Sequence, residues 1–130
     1  MATFSLCMIV KNEERVLARC LDSICDLMDE IIIVDTGSCD RTKEIEVRYT
    51  DSVYYFEWTG NFSEARNFSF SLAGCDYIYC ADADEVLDAE NREKLRILKE
   101  TILPQVEIVQ MYYGNQLCHG TVYNFDRELR

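Results

Sequence analysis

Proline occurs once in this chain of 130 residues and glycine five times, too little of either for a collagen-like or low-complexity segment. Histidine is equally scarce. The single His119, beside Gly120, cannot build a multi-imidazole metal centre and reads as an ordinary turn residue rather than an acid–base group. Basic residues are outnumbered, 13 Lys and Arg against 24 Asp and Glu, and the formal charge is −11 with a pI near 4.4. That balance argues against nucleic acid or an anionic membrane as a default partner. No apolar run reaches the roughly 18–20 residues of a membrane span. A basic segment followed by an apolar core is also missing at the N-terminus, so no secretory signal is read. Disulfide spacing is absent as well: the seven cysteines are odd in number and none stands in a C-x-x-C. They are expected to be reduced core thiols of a cytoplasmic protein. The sequons at Asn61 and Asn67 are accordingly taken as chance.

What remains is an ordinary globular composition, 48% hydrophobic and 28% charged, sufficient for one domain spanning residues 1–130. Apolar runs alternate with amphipathic segments. Phe4 to Val10 suits a buried strand, and Val16, Leu17, Cys20, Leu21, Ile24 and Met28 recur at helical spacing, predicting a helix over 13–27 with Asn12 as its cap. Ile31 to Val34 is apolar on both faces, as a central parallel strand should be. It ends at the polar turn Asp35-Thr36-Gly37-Ser38-Cys39-Asp40, with Ser38 or Asp40 placed to cap a short helix over 41–49. Val53 to Phe56 reads as a third strand. Asn61 and Glu64 have capping-box spacing for a third helix, closed by Gly74. Tyr77 to Ala81 is a fourth strand, and a helix from Asp88 or Asn91 to Thr101 follows, ahead of Pro104. Val106 to Tyr113 and Thr121 to Phe125 look like further strands, with turns at Gly114-Asn115 and His119-Gly120. This β-α repetition implies a three-layer α/β/α sandwich on a mostly parallel sheet, whose ligands bind at the carboxyl ends of the strands.

Those ends carry Lys11-Asn12-Glu13, Asp35 and Asp82-Ala83-Asp84-Glu85. Three acids within four residues, at the end of an apolar strand, repel one another unless a cation sits among them. A Mg²⁺ or Mn²⁺ site facing a phosphorylated substrate is the reading favoured over a solvated acidic loop. Asp35 could instead cap its own turn, Arg66 could be a surface residue, and Lys11 and Glu13 could pair with each other. Tyr54, Tyr55, Phe56 and Trp58 read as core and rim, Trp58 being the one that could edge a pocket.

Val10-Lys11-Asn12-Glu13-Glu14, Ile32-Ile33-Val34-Asp35-Thr36-Gly37-Ser38, Glu64-Ala65-Arg66-Asn67 and Ala81-Asp82-Ala83-Asp84-Glu85 occur in that order. Together they resemble the donor-binding half of a family 2 glycosyltransferase with the GT-A (Rossmann-like) fold. The set is similar to a bacterial branch that opens on a CMIVKNEE strand and often carries a helical-repeat tail. The resemblance implies transfer of a sugar from a nucleoside diphosphate sugar, most simply a UDP-sugar, to an acceptor with inversion. It implies that Val10, Asn12 and Glu13 line the nucleotide pocket and that Asp35 accepts a hydrogen bond from uracil. Arg66 would hold the base or pyrophosphate, supported by Asn67. Asp82 would face the ribose or metal shell, Asp84 would bind the divalent metal, and Glu85 would be a neighbour. The acceptor, whether glycan, lipid or peptide, is not legible.

The family's general base normally lies well beyond the D-x-D. The acids that follow here, Glu107, Asp126 and Glu128, stand in no recognisable motif. The chain is therefore expected to be the N-terminal part of a longer protein, and the rival reading is a nucleotide-sugar-binding module without transfer. Asp82-Ala83-Asp84-Glu85-Val86 also resembles the D-x-D-x-[TV] of haloacid-dehalogenase phosphatases. In those enzymes the motif usually follows the first strand, whereas three β-α units precede it here. A sugar nucleotidyltransferase would need a Gly-rich, Arg-containing loop where Lys11-Asn12-Glu13 stands.

Overall fold

The computed structural model describes residues 2–102 in full and, beyond them, the backbone of two strands, 108–112 and 119–124. Strands β1 (Phe4–Val10), β2 (Glu30–Asp35), β3 (Val53–Tyr55) and β4 (Tyr77–Cys80) alternate with helices α1 (Leu17–Ile24), α2 (Thr42–Tyr49) and α3 (Phe62–Ser71). Helix α4 (Ala89–Thr101) follows, then β5 (Ile108–Tyr112) and β6 (His119–Asn124). The sheet order is β3-β2-β1-β4-β6-β5. The first four strands are parallel and β6 and β5 join antiparallel, so the sheet is mixed, as expected of a GT-A-like domain.

Alternation along the central strands sorts the core into two layers. Phe4, Leu6, Met8 and Val10 of β1, with Ile33 of β2, meet Leu17, Cys20, Leu21 and Ile24 of α1, Ile45 of α2 and Leu95 of α4. Cys7, Ile32, Val34 and Ile78 face the opposite way, onto Phe70 and Ala73 at the end of α3. Burial on both faces explains why β1 and β2 read as continuous apolar runs. The six described cysteines are all free.

Several helix ends differ from their sequence reading. α1 begins at Leu17, not Glu13, because Asn12 does not cap it. Asn12 adopts φ +53°, and its side chain and N–H are used by the next loop, leaving 13–16 as a turn closed by the Glu13 carbonyl. At α2 the N-cap is Arg41, with no side-chain capping bond, and Asp40 Oδ1 accepts from the Thr42 N–H at 2.9 Å one position earlier. The box at α3 is half formed. Asn61 Oδ1 accepts from Ser63 N–H at 2.9 Å, but Glu64 turns to the Thr59 hydroxyl at 2.6 Å. Gly74 does not supply a left-handed cap; α3 ends on Leu72 in the right-handed region, and the Gly74 N–H donates to Glu30 Oε1. Asp88 caps α4 through the Asn91 N–H at 2.8 Å, matching its sequence signal. His119 and Gly120 lie within β6 rather than at a turn, since β6 extends to meet Tyr112 and Met111 of β5.

α4 is fastened to the underside of α1. Arg92 donates to the Ser23 carbonyl and to both Asp26 carboxylate oxygens, and Lys99 pairs with Asp29 at 2.6 Å. Leu95, 2% exposed, fills the contact between them. Removing a fully buried methyl-bearing branch from this layer should be costly: Leu21→Ala is expected to lower stability by about 3 kcal/mol. Chemical denaturation should show this as a lower midpoint with an unchanged m-value.

Candidate functional site

β1 and β2 run side by side in register, Val10 opposite Asp35, so the two loops leaving their carboxyl ends start as neighbours. They are latched by reciprocal hydrogen bonds. The Asn12 N–H donates to Ser38 Oγ at 3.0 Å, and Asn12 Oδ1 accepts from the Cys39 N–H at 2.7 Å. The Glu13 N–H donates to Thr42 Oγ1 at 2.8 Å, and the Arg41 N–H donates to Glu14 Oε2 at 3.1 Å. The Thr36 N–H, finally, reaches the Val10 carbonyl at 3.0 Å. Backbone donors that a loop would otherwise leave to water are thus spent on fixing one loop against the other. Gly37 at φ +118° provides the sharp turn between Asp35 and Ser38, a conformation other residues adopt only with strain.

Asp35 sits beneath this latch. It is 3% exposed, and its Oδ1 accepts from the N–H groups of Gly37 at 2.8 Å and Ser38 at 2.7 Å. By strand alternation its side chain enters the layer shared by Ile33 and α2, where it meets Glu46, itself 1% exposed. Burial pushes the Asp35 carboxyl upward. Hydrogen bonds from Glu46, Ser38 and Gly37 outweigh that and hold it below the usual carboxylate range. Burial, then the bond and charge of Asp35, push the Glu46 carboxyl up to about 9. Asp35 is therefore the interior anchor of the turn, and its side chain points away from α3, which packs on the other face.

The acids lie one strand further along, past β4. Ala81 and Ala83 are buried in the core while Asp82 and Asp84 are exposed, so small and acidic residues alternate inward and outward. The Asp82 carbonyl accepts from the Glu85 N–H at 3.0 Å, closing a tight turn. α1 fixes that turn from below: Arg19 Nη2 donates to the Asp84 carbonyl at 3.3 Å, and Cys20 Sγ to the Asp82 carbonyl at 3.6 Å. Ser23 Oγ accepts from the Leu87 N–H at 3.1 Å. Burial, then the charges of Glu85, Asp84 and Asp82, push the Cys20 thiol up to about 12, so it stays protonated beneath the acids. No third His, Cys, Asp or Glu joins Asp82 and Asp84 in a metal-ligand group among the described residues. Two carboxylates open to solvent suit a hard divalent cation whose remaining ligands are phosphate oxygens and water.

Arg66 and Asn67 are exposed on α3. The Arg66 guanidinium lies 4.8 Å from the centre of the Phe62 ring, and Phe62 makes an edge contact with Trp58 at 6.4 Å. Trp58 and Phe62 are each 44% exposed, giving α3 an open aromatic rim with a cation on it. Burial raises the Cys80 thiol at the end of β4; Arg66 opposes that rise, while Asp82 and Glu85 add to it. Arg66 and the acids therefore bear on the same strand end, Arg66 from the face opposite Asp35 and the acids on both faces.

The structure thus gathers Val10, Asn12, Glu13, Arg66, Asp82 and Asp84 along one edge. Asp35 belongs to that edge by position but is turned inward. Arg19, Cys20, Ser23, Thr42 and Glu46 were not singled out from sequence. The first three follow helical spacing along one side of α1, a signal that marks a shared face but not what it fastens. Glu107, Asp126 and Glu128 lie outside the described residues.

Comparison with known proteins agrees with this architecture. A family model described as glycosyl transferase family 2 matches residues 5–118. A TPR repeat-containing protein of Synechococcus elongatus is 45% identical over 74% of this chain and 24% of its own length. The SPbeta prophage-derived glycosyltransferase SunS of Bacillus subtilis is 36% identical over 72% of this chain and 22% of its own. The lipopolysaccharide core biosynthesis glycosyltransferase LpsC of Rhizobium meliloti is 34% identical over 84% and 39%. Among solved structures, glucosyl-3-phosphoglycerate synthase of Mycobacterium tuberculosis with UDP superposes with a TM-score of 0.76 at 16% identity, covering 96% of this chain and 57% of that one. The same enzyme with Mn²⁺ and UDP-glucose gives 0.74 at 18%. The chain thus spans less than half the length of these curated relatives.

The latch itself is open to test. Asn12→Ala removes the acceptor for the Cys39 N–H and is expected to cost about 1 kcal/mol. The Cys39 amide should then exchange with solvent faster by a similar free energy, while amides of β4 keep their protection.

Proposed function

Since the chain belongs to glycosyl transferase family 2, we propose that it is the donor-binding domain of an enzyme that uses a nucleoside diphosphate sugar, with UDP as the nucleotide. The observation that carries this reading is the convergence, at one sheet edge, of the latched β1 and β2 loops with the outward acids Asp82 and Asp84 and the cation of Arg66. A diphosphate needs positive charge to bind a protein of net charge −11. Arg66 supplies one such charge from α3, and Lys11, exposed on the first loop, is available for a second.

In this arrangement Val10, Asn12 and Glu13 form one wall of the nucleotide pocket, and their backbone is held in place by Ser38, Cys39 and Thr42. Asp35 acts through the turn it anchors rather than by touching the base, which departs from the role implied by family resemblance. Arg66 faces the base or pyrophosphate, with Asn67 beside it, and Trp58 and Phe62 border that side. Asp84, with Asp82 toward the ribose, would hold a Mg²⁺ or Mn²⁺ ion, which when bound neutralises the diphosphate and eases its departure. Asp82 and Asp84 need not move to do so, because Arg19, Cys20 and Ser23 fix the turn on α1. In the complete enzyme, an acceptor oxygen would displace the nucleoside diphosphate at the anomeric carbon with inversion, its proton passing to a base not among the described residues. The acceptor, a glycan, lipid or peptide, is set by surfaces beyond this edge.

The relatives' greater length also favours a second reading, in which this chain binds the donor and needs further segments for transfer. Calorimetry tests the donor binding that both readings require. UDP is expected to bind the chain, and more tightly with Mn²⁺ than without it. Asp84→Ala should abolish the metal-dependent increment and leave the weak metal-independent binding. UDP affinity that is unchanged by Mn²⁺, or no binding by folded protein, contradicts the proposal.

A further inference from the structure

The interior beneath the latch holds three carboxylate oxygens with no hydrogen-bond donor among the described residues: Asp35 Oδ2 and both Oε atoms of Glu46. Two ionised carboxylates facing each other in a buried layer would repel strongly, and each unmet acceptor would carry its full desolvation cost. A proton kept on one carboxyl removes the repulsion and reduces the unmet acceptors from three to one. A neutral acid then donates to its ionised neighbour, as when two acids share a site that cannot hold two charges. The two are not equivalent. Asp35 already receives two backbone N–H bonds on Oδ1, which favour its ionised form, whereas Glu46 receives none.

We propose that Glu46 is a positioning residue that stays protonated, donates its carboxyl hydrogen to Oδ2 of Asp35, and through Asp35 holds the Gly37-Ser38 turn in the shape that receives Asn12. The chain of contacts is continuous: the Glu46 carboxyl to that of Asp35, Asp35 Oδ1 to the Gly37 and Ser38 amides, Ser38 Oγ to the Asn12 N–H, and Cys39 back to Asn12 Oδ1. The other charges acting on Glu46 are Lys43 on its own helix, which favours ionisation, and Asp40 in the preceding turn, which opposes it. The consequence for donor binding rests on reading the two loops as the nucleotide wall; the shared proton does not.

The sign of the pH dependence follows. Unfolded, Glu46 loses its proton near the ordinary value of 4.5, and folded it keeps it up to about 9. The native state therefore holds an extra proton across that window, and the stability this proton confers is fully present below the window and lost as pH rises through it. Asp35 acts oppositely, its contribution fading only as pH falls below its ordinary value of 3.8.

The test combines denaturation midpoints from pH 5 to 10 with ¹³C NMR of the side-chain carboxyls, on wild type, E46Q and E46L. In wild type the midpoint is expected to decline as pH rises, and one glutamate carboxyl, assigned by its absence in E46Q, should titrate near 9. E46Q keeps a donor for Asp35 without a titratable proton, so its midpoint should be flat from pH 5 to 8, above which the buried Cys20 and Cys80 thiols lower wild type and E46Q alike. At pH 7, UDP affinity should stay within about twofold of wild type in E46Q and fall about tenfold in E46L, where Asp35 Oδ2 is left without a donor. Above pH 8 the ratio of wild-type to E46Q affinity should fall, a ratio in which titration of the nucleotide itself cancels. A Glu46 carboxyl titrating in the ordinary glutamate range, or an E46Q midpoint with the wild-type slope from pH 5 to 8, overturns the shared proton. A confirmed shared proton with UDP affinity equal in all three proteins overturns the positioning role. Absence of UDP binding at every pH would refute the proposed function, while the midpoint and carboxyl titrations still decide the proton. If E46L fails to fold, the wild-type and E46Q comparison decides alone.

Discussion

A single buried carboxylate carries much of the geometry at the active edge of this domain. Asp35 ends the central strand with one oxygen closing the turn that follows and the other facing a glutamate in the interior. Because Val10 lies opposite Asp35 in the sheet, whatever fixes the second loop also fixes the first. The loops are short and polar and bury little apolar area, so packing cannot hold them. Hydrogen bonds from Ser38, Cys39, Thr42 and Glu14 do so instead, and they can only form if the turn above Asp35 keeps its shape.

The acidic turn is fixed by different means. Its alanines are pinned in the core and its backbone is hung on α1 by Arg19, Cys20 and Ser23, which leaves the carboxylates outward. The division is physically sensible. Acids left outward stay hydrated and ionised, whereas burying them unpaired would cost several kcal/mol or neutralise them. Asp35 and Glu46 lie on the other side of that division: there burial pushes the Glu46 carboxyl toward its neutral form.

Much of the fold was legible because its strongest signals are local. β1, β2 and β4 are apolar on both faces, and Asp88 announces α4 with a side chain that has nothing else to bind. Legibility failed where a polar residue had two possible partners. Asn12 looks like a helix cap until the β2 loop arrives to claim both its amide and its side chain, and Glu64 leaves the capping box for Thr59. Glu46 was invisible for a related reason. α2 is a short, mostly polar helix, and nothing in its spacing says that one glutamate points inward. Asp35 is legible as a residue of a strand end, but a one-dimensional motif does not say on which face of the sheet its side chain ends. The ordered set of four motifs, by contrast, identified the family, because each lies at a strand end or on the helix beside it.

The central claim is that the latched β1 and β2 loops, the acidic turn and the start of α3 form one nucleotide-binding edge. Amide chemical-shift mapping with UDP and Mg²⁺ tests it most directly. The account predicts shifts concentrated at residues 10–14, 36–39, 66–67 and 81–85, with the amides of α4 unmoved. Shifts centred instead on the groove between the turn at 13–16 and α2, lined by Arg15, Arg41 and Arg48, would contradict it.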